Sequence, residues 1–225
     1  MMGISGSTNG DVFHGWAKLP VSRKQFACES SEEMARHFQN CKPLPGAGEL
    51  LSGLSRARNA SGDKIELGLA TSANSASYEM KTSQPETKRL LNYFQPDKRV
   101  LGDDPRLRLG RGKPAPDIYL AALQFLNSAL NSGEKAIMPN ECLVFEDSAV
   151  GVEAGRRAGM RVIWVPHPDL AIEYQPVQKY VLAGRTGLVK IGDECQLGEV
   201  DDGWAEAISS LEDFQYEKYG IFVQS

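Results

Sequence analysis

From residue 44 onward the chain alternates short apolar runs with stretches of helical periodicity, and few architectures accommodate that alternation. Ile65-Glu66-Leu67-Gly68-Leu69-Ala70 predicts one strand, Arg99-Val100-Leu101 a second, Cys142-Leu143-Val144-Phe145 a third, and Arg161-Val162-Ile163-Trp164-Val165 a fourth that stops at Pro166. Between them, Ile118, Ala122, Phe125 and Leu126 mark one helical face after a Pro116-Asp117 start. Gly151, Ala154, Gly155 and Ala158 form a stripe of small residues that lets a helix lie close to a sheet, with Gly159 as its stop. Strands spaced by helices in this way predict an α/β fold, a Rossmann-like parallel sheet with helices on both faces. Before Lys42-Pro43-Leu44-Pro45-Gly46 the chain is polar, Gly/Ser-rich over Met2 to Gly10 and then helical in pattern.

Composition narrows the function classes. At 225 residues, 41% hydrophobic and 24% charged, the chain falls in the globular range. Lys and Arg number 25 against 29 Asp and Glu, a net charge of −4, and no basic block appears, so no nucleic-acid partner is expected. The longest apolar runs are a few residues long, against the roughly 20 that a bilayer requires, so no membrane association is expected. Four widely spaced cysteines, Cys28, Cys41, Cys142 and Cys195, without a C-x-x-C pair predict free thiols in a reducing cytoplasm. Gly3 with Ser7 fits a myristoylation pattern only for a chain started at Met2, and is read as chance. No secretory signal is read at the start, and a cytoplasmic monomer is expected.

In parallel sheets ligands collect beyond the carboxyl ends of the strands, where backbone dipoles and helix N-termini converge. Thr71-Ser72-Ala73-Asn74-Ser75 follows the first predicted strand, Gly102-Asp103-Asp104 the second, Glu146-Asp147-Ser148 the third and Pro166-His167-Pro168 the fourth. Each group has a plain alternative. Thr71 suits a cap for the next helix, Lys113 in Gly112-Lys113-Pro114-Ala115-Pro116-Asp117 suits a surface turn, and Glu146-Asp147 suits a cap for the helix near Ala149. Adjacent carboxylates at a strand end also suit Mg²⁺, a hard cation that prefers oxygen and gives a reason to keep two repelling charges together.

In order, a hydroxyl after one strand, Lys-Pro-x-Pro-Asp opening a helix, and an acidic pair followed by Ser-x-x-Gly-x-x-Ala form a pattern. From Pro45 to the end the chain resembles the haloacid dehalogenase-like phosphatase superfamily, with Thr71 at its hydroxyl motif, Lys113 at its lysine motif and Glu146-Asp147 at its acidic motif. LATSANSASYEMKTS, LGDDP, GKPAPDIYLAAL, CLVFEDSAVGVEAGRRAGM and LEDFQYEKYG resemble the pseudouridine-5′-monophosphatase branch and its fungal relatives. The resemblance implies a Mg²⁺-dependent phosphomonoester hydrolase acting on a small phosphorylated metabolite, nucleotide- or sugar-phosphate-like. It implies Thr71 and Lys113 as catalytic groups, Thr71, Ser72, Asn74 and Lys113 as phosphate- or substrate-binding, and Glu146 and Asp147 as metal ligands.

One part of the pattern is missing. The family attacks phosphorus with the first Asp of a D-x-D motif on its central strand, and the 225 residues contain no D-x-D. Asp11, in Asn9-Gly10-Asp11-Val12-Phe13, lacks a preceding apolar strand, and Gly3 to Asp11 has poor strand character. Residues 1–43 are therefore read as a remnant of a helical cap, and 44–225 as a core lacking its first strand. Such a core leaves two inner strands with unpaired edges. The expectation is a shortened family member that is inactive or impaired; the alternative is a non-catalytic relative that binds a phosphorylated metabolite or a partner protein.

Overall fold

A computed structural model describes residues 13–38, 40–108, 110–131, 133, 135–188 and 196–224. Met1 to Asp11, with the Gly3 to Asp11 segment, and Cys195 lie outside the described residues. Helix α1 (Arg23–Phe38) carries no buried residue, and it meets α3 (Ser75–Lys81) where Lys81 Nζ stands 4.5 Å over the Phe38 ring. Ahead of α1, residues 13–17 are helical, and Phe13 stacks on Phe26 at 5.4 Å.

The remainder is the expected alternation. Helix α2 (Ala47–Arg56) is followed by β1 (Ala57–Asn59) and β2 (Leu69–Ala70), then α3, α4 (Pro85–Leu91) and β3 (Arg99–Val100). Helix α5 (Asp117–Ser128), β4 (Leu143–Glu146), α6 (Ala149–Arg157) and β5 (Arg161–Trp164) come next. Short helices α7 (Pro168–Tyr174) and α8 (Gln178–Leu182) lead to β6 (Ala205–Ala207) and β7 (Ile221–Val223).

Why β5 occupies the centre can be read from its side chains. All are apolar after Arg161, and successive residues of a strand point to opposite faces. Val162 and Trp164 enter one core with Val100, Ile118, Val144 and Val152, whereas Ile163 and Val165 enter another with Leu50, Leu54, Phe214 and Ile221. Each such burial contributes about 1.5–3 kcal/mol, which requires cover on both faces of the strand.

Helix α6 lies against that strand because its sequence permits contact. Its nine residues are all buried, and a Cβ on Gly155 would come within 2.8 Å of Val162 Cγ2. Ser148 caps the helix by accepting a hydrogen bond from Gly151 N–H at 3.1 Å, and Gly159 ends the turn at φ +74°. The cap is thus Ser148 rather than the acidic pair before it.

The parallel sheet departs from expectation in its continuity. β2 pairs with β3, and β4 pairs with β5, which pairs with β6, all parallel, as two separate sheets. β2 and β4 each end a sheet. The strand predicted over 65–70 shrinks to Leu69–Ala70, because only its end meets β3, while Ile65 and Leu67 pack as half-buried side chains against the core that contains Ile163 and Val165. A third sheet, absent from the sequence reading, joins β1 to β7 antiparallel, with Ala57 opposite Val223.

Candidate functional site

The ends of β2 and β4 and the start of α5 converge through Lys113. Its side chain is 6% exposed, and Nζ donates to Glu146 Oε1 and lies 3.5 Å from the carbonyl of Ala70. The ammonium thereby ties the last residue of β2 to the last residue of β4. Tyr119, in the first turn of α5, places its ring 4.9 Å from the same nitrogen and donates its hydroxyl hydrogen bond to Glu146 Oε1. Pro114 and Pro116 are fully buried, so the turn that carries Lys113 into the interior is itself packed.

Glu146 is satisfied on both oxygens. Oε2 accepts from Ser148 Oγ at 3.0 Å and from Ser148 N–H at 3.3 Å, while Oε1 takes Lys113 and Tyr119. Burial alone would favour the neutral acid, but the Lys113 charge and the surrounding donors prevail and hold its pKa below the ordinary glutamate value. Burial and the adjacent carboxylate push the Tyr119 phenol well above its usual range, so it remains a donor. Gly151 in the first turn of α6 leaves room for this carboxylate, since a Cβ there would overlap it.

Asp147 has the opposite environment. Its residue is exposed, and its carbonyl accepts from Trp164 Nε1 at 3.1 Å. The protein crowding one side of the carboxyl, and then the negative charge of Glu146, raise its pKa above the aspartate value despite Lys113. Of the acidic pair, one member faces inward to a lysine and the other outward.

Thr71 follows Ala70, half-buried, with its N–H donating to Val100 carbonyl at 3.0 Å and its hydroxyl oxygen accepting from Ala73 N–H at 3.2 Å. Ser72 is half-buried beside it. Asn74 Oδ1 accepts from Ser77 N–H at 2.8 Å as the N-cap of α3, so its carbonyl oxygen serves the helix. The loop after β3 is also engaged. Asp103 accepts from Ser75 N–H at 3.0 Å, which with the hydroxyl of Ser75 lowers its pKa, and Asp104 pairs with Arg106 at 2.6 Å. His167 caps α7 through Nδ1, which accepts from Asp169 N–H at 3.3 Å.

Lys113, Glu146 and Asp147 are therefore gathered at one strand-end edge, with Thr71 one residue beyond the Ala70 carbonyl that Lys113 approaches. Tyr119 and Ser148 were missed by sequence reasoning. Tyr119 lies one residue off the expected apolar stripe, and Ser148 is visible only as the small polar residue that follows two acids. Among the described residues no three His, Cys, Asp or Glu side chains cluster, so protein donors alone do not enclose a cation. Mg²⁺ commonly uses one or two carboxylates and completes its shell with water and substrate phosphate, a pattern that an outward Asp147 beside Glu146 fits.

Comparison with known proteins places the chain among its relatives. The haloacid dehalogenase-like hydrolase family matches residues 23–159. An uncharacterized protein of Schizosaccharomyces pombe is 38% identical over 97% of this chain and 77% of its own length. A probable pseudouridine-5′-phosphatase of Saccharomyces cerevisiae is 33% identical over 98% of this chain and 80% of its own. Among solved structures, a family IA, variant 3 hydrolase of the same superfamily from Entamoeba histolytica shares the fold with a TM-score of 0.61 at 20% identity, over 94% of this chain and 76% of that one.

Proposed function

The chain belongs to the haloacid dehalogenase-like hydrolase family, and on that premise we propose that it binds a small phosphorylated metabolite, nucleotide- or sugar-phosphate-like, at the edge formed by Thr71, Lys113, Glu146 and Asp147. The observation that carries this reading is Lys113, a buried ammonium brought between the ends of β2 and β4. A cation so placed, with Thr71 one residue beyond the Ala70 carbonyl it approaches, suits the equatorial oxygens of a phosphoryl group as charge redistributes at phosphorus. Ser72, half-buried beside Thr71, is a further group for the phosphate, and the amide nitrogen of Asn74 is the part of that side chain left to a substrate once its oxygen caps α3. Asp147 and Glu146 are the residues to hold Mg²⁺, which when bound neutralises phosphate charge.

Residues 1–43 act in this reading as part of a helical cap and 44–225 as the core. Free thiols at Cys28, Cys41 and Cys142 support a reducing, cytoplasmic setting. Among the described residues no helix is long and apolar enough to cross a membrane.

Covalent phosphoryl transfer requires a nucleophile, and no D-x-D occurs in the 225 residues. The chain is accordingly read as binding phosphate with little turnover; that Glu146 is fully engaged by Lys113, Tyr119 and Ser148 also favours a binding role. The test is hydrolysis of generic, nucleotide and sugar phosphates by purified residues 1–225 with Mg²⁺, beside the Saccharomyces cerevisiae relative. Phosphate binding with hydrolysis near background supports the reading. Turnover matching the relative, retained when Lys113 is changed to Ala, would overturn it.

A further inference from the structure

Lys113 and Glu146 are the two charges of the site most withdrawn from water, with side chains 6% and 5% exposed, and they spend those charges on each other. A carboxylate has about four lone-pair positions, and donors from Lys113, Tyr119, Ser148 Oγ and Ser148 N–H use all of them. An anion that seeks the ammonium meets a lysine already neutralised, and a cation that seeks the inner carboxylate meets an acid already paired. Parting the two with only one ligand present leaves the other charge buried and unpaired, which is strongly unfavourable. Parting them with both ligands present leaves neither uncompensated.

We propose that the Lys113–Glu146 pair is an internal lock that makes divalent cation and phosphate bind cooperatively. Glu146, if it turned to a bound cation, would leave Lys113 and free the ammonium for phosphate; Lys113, if it turned to phosphate, would free the carboxylate. Linkage is reciprocal, so each ligand tightens the other by the same factor, and couplings between sites commonly run about 5–150-fold. The inference rests on the phosphate-binding function above and concerns how that same site is filled.

The experiment is calorimetric titration of the full chain with inorganic phosphate, with and without saturating Mg²⁺, and with Mg²⁺, with and without phosphate, at constant ionic strength. In the wild type each ligand should tighten the other about tenfold or more. Glu146→Gln, which releases the ammonium, should raise phosphate affinity in the absence of Mg²⁺ by about tenfold and abolish the Mg²⁺ effect. Lys113→Gln should do the same for Mg²⁺ affinity in the absence of phosphate. Asp147→Asn removes an equal charge that acts on Lys113 from a more exposed position, without the hydrogen-bonded pairing of Glu146, and should raise cation-free phosphate affinity by no more than about threefold, since an exposed charge is screened.

Equal gains from Glu146→Gln and Asp147→Asn would reduce the effect to net charge and overturn the lock. Wild-type coupling below about twofold overturns it as well, whichever variants fold, because the lock predicts coupling at the scale of linked sites. Phosphate binding without coupling defeats the lock and leaves the function standing. Failure of the wild type and Glu146→Gln to bind phosphate even with Mg²⁺ defeats the function itself.

Discussion

Gly151→Ala is the most direct probe of the packed carboxylate at the site. Within a helix, Ala in place of Gly ordinarily stabilises, by up to about 1 kcal/mol, and Gly151 lies in the first turn of α6. Here the added methyl would overlap the carboxyl carbon and both oxygens of Glu146, which cannot swing aside without releasing Lys113, Tyr119 and Ser148. Overpacking costs about 1–3 kcal/mol, and breaking a buried ion pair about 3–5 kcal/mol. If about half of the pairing survives in a shifted geometry, the terms leave a net loss of about 3 kcal/mol. For a chain of this length that corresponds to a fall of roughly 6–12 °C in Tm. Thermal and urea unfolding followed by circular dichroism would measure it. The cause is isolated by repeating the substitution in a Glu146→Ala background, where the methyl meets vacated space and the helix-propensity gain should return. A Gly151→Ala protein as stable as the wild type, or the same loss in both backgrounds, would refute the reasoning.

Asp147→Asn should raise Tm at pH 7. Protein crowding one side of the carboxyl, and then the Glu146 charge, raise the folded pKa of Asp147, so its ionisation costs stability above that pKa and the cost is relieved as pH falls through it. The Tm difference between variant and wild type should therefore shrink on acidification to about pH 4, and an unchanged difference would contradict the assignment. Glu153→Gln breaks an ion pair with Arg157, at 2.9 Å with side chains 2% and 5% exposed, and weakens the contact with Thr186; a loss of about 3–5 kcal/mol in urea unfolding is expected. Asn74→Ala removes the cap of α3 and should cost about 1 kcal/mol of stability. In the same titration its phosphate affinity should fall by about threefold to tenfold, because the amide nitrogen left to the substrate is removed along with the cap; an unchanged affinity would show that this side chain serves the helix alone.

The family pattern and the order of elements were legible in the sequence because they rest on local signals. Apolar residues on both parities of Arg161–Val165 require two covered faces, and Gly155 and Gly159 fix how close α6 lies and where it stops. The apolar stripe of α5 and the ends of β4 and β5 follow from side-chain period and from Pro116 and Pro166. Residue order put the acidic pair at a strand end, where ligands collect in a parallel sheet, but left Lys113 equally suited to a surface turn; its place beside the pair followed from the family resemblance.

Other features depend on segments that are distant in the chain, and no local pattern encodes them. The antiparallel pairing of β1 with β7, the division of the parallel strands into two sheets, and the shrinkage of the 65–70 strand to Leu69–Ala70 depend on which backbone edges meet. The same holds for the assignment of Asn74 to a helix cap and for the different roles of two adjacent acids. Glu146 and Asp147 are neighbours of nearly identical chemistry, but alternation along the backbone turns one toward the buried Lys113, Tyr119 and Ser148 and the other toward solvent. Sequence determined that a pair of carboxylates would stand at the end of β4; tertiary packing decided which of them is already neutralised.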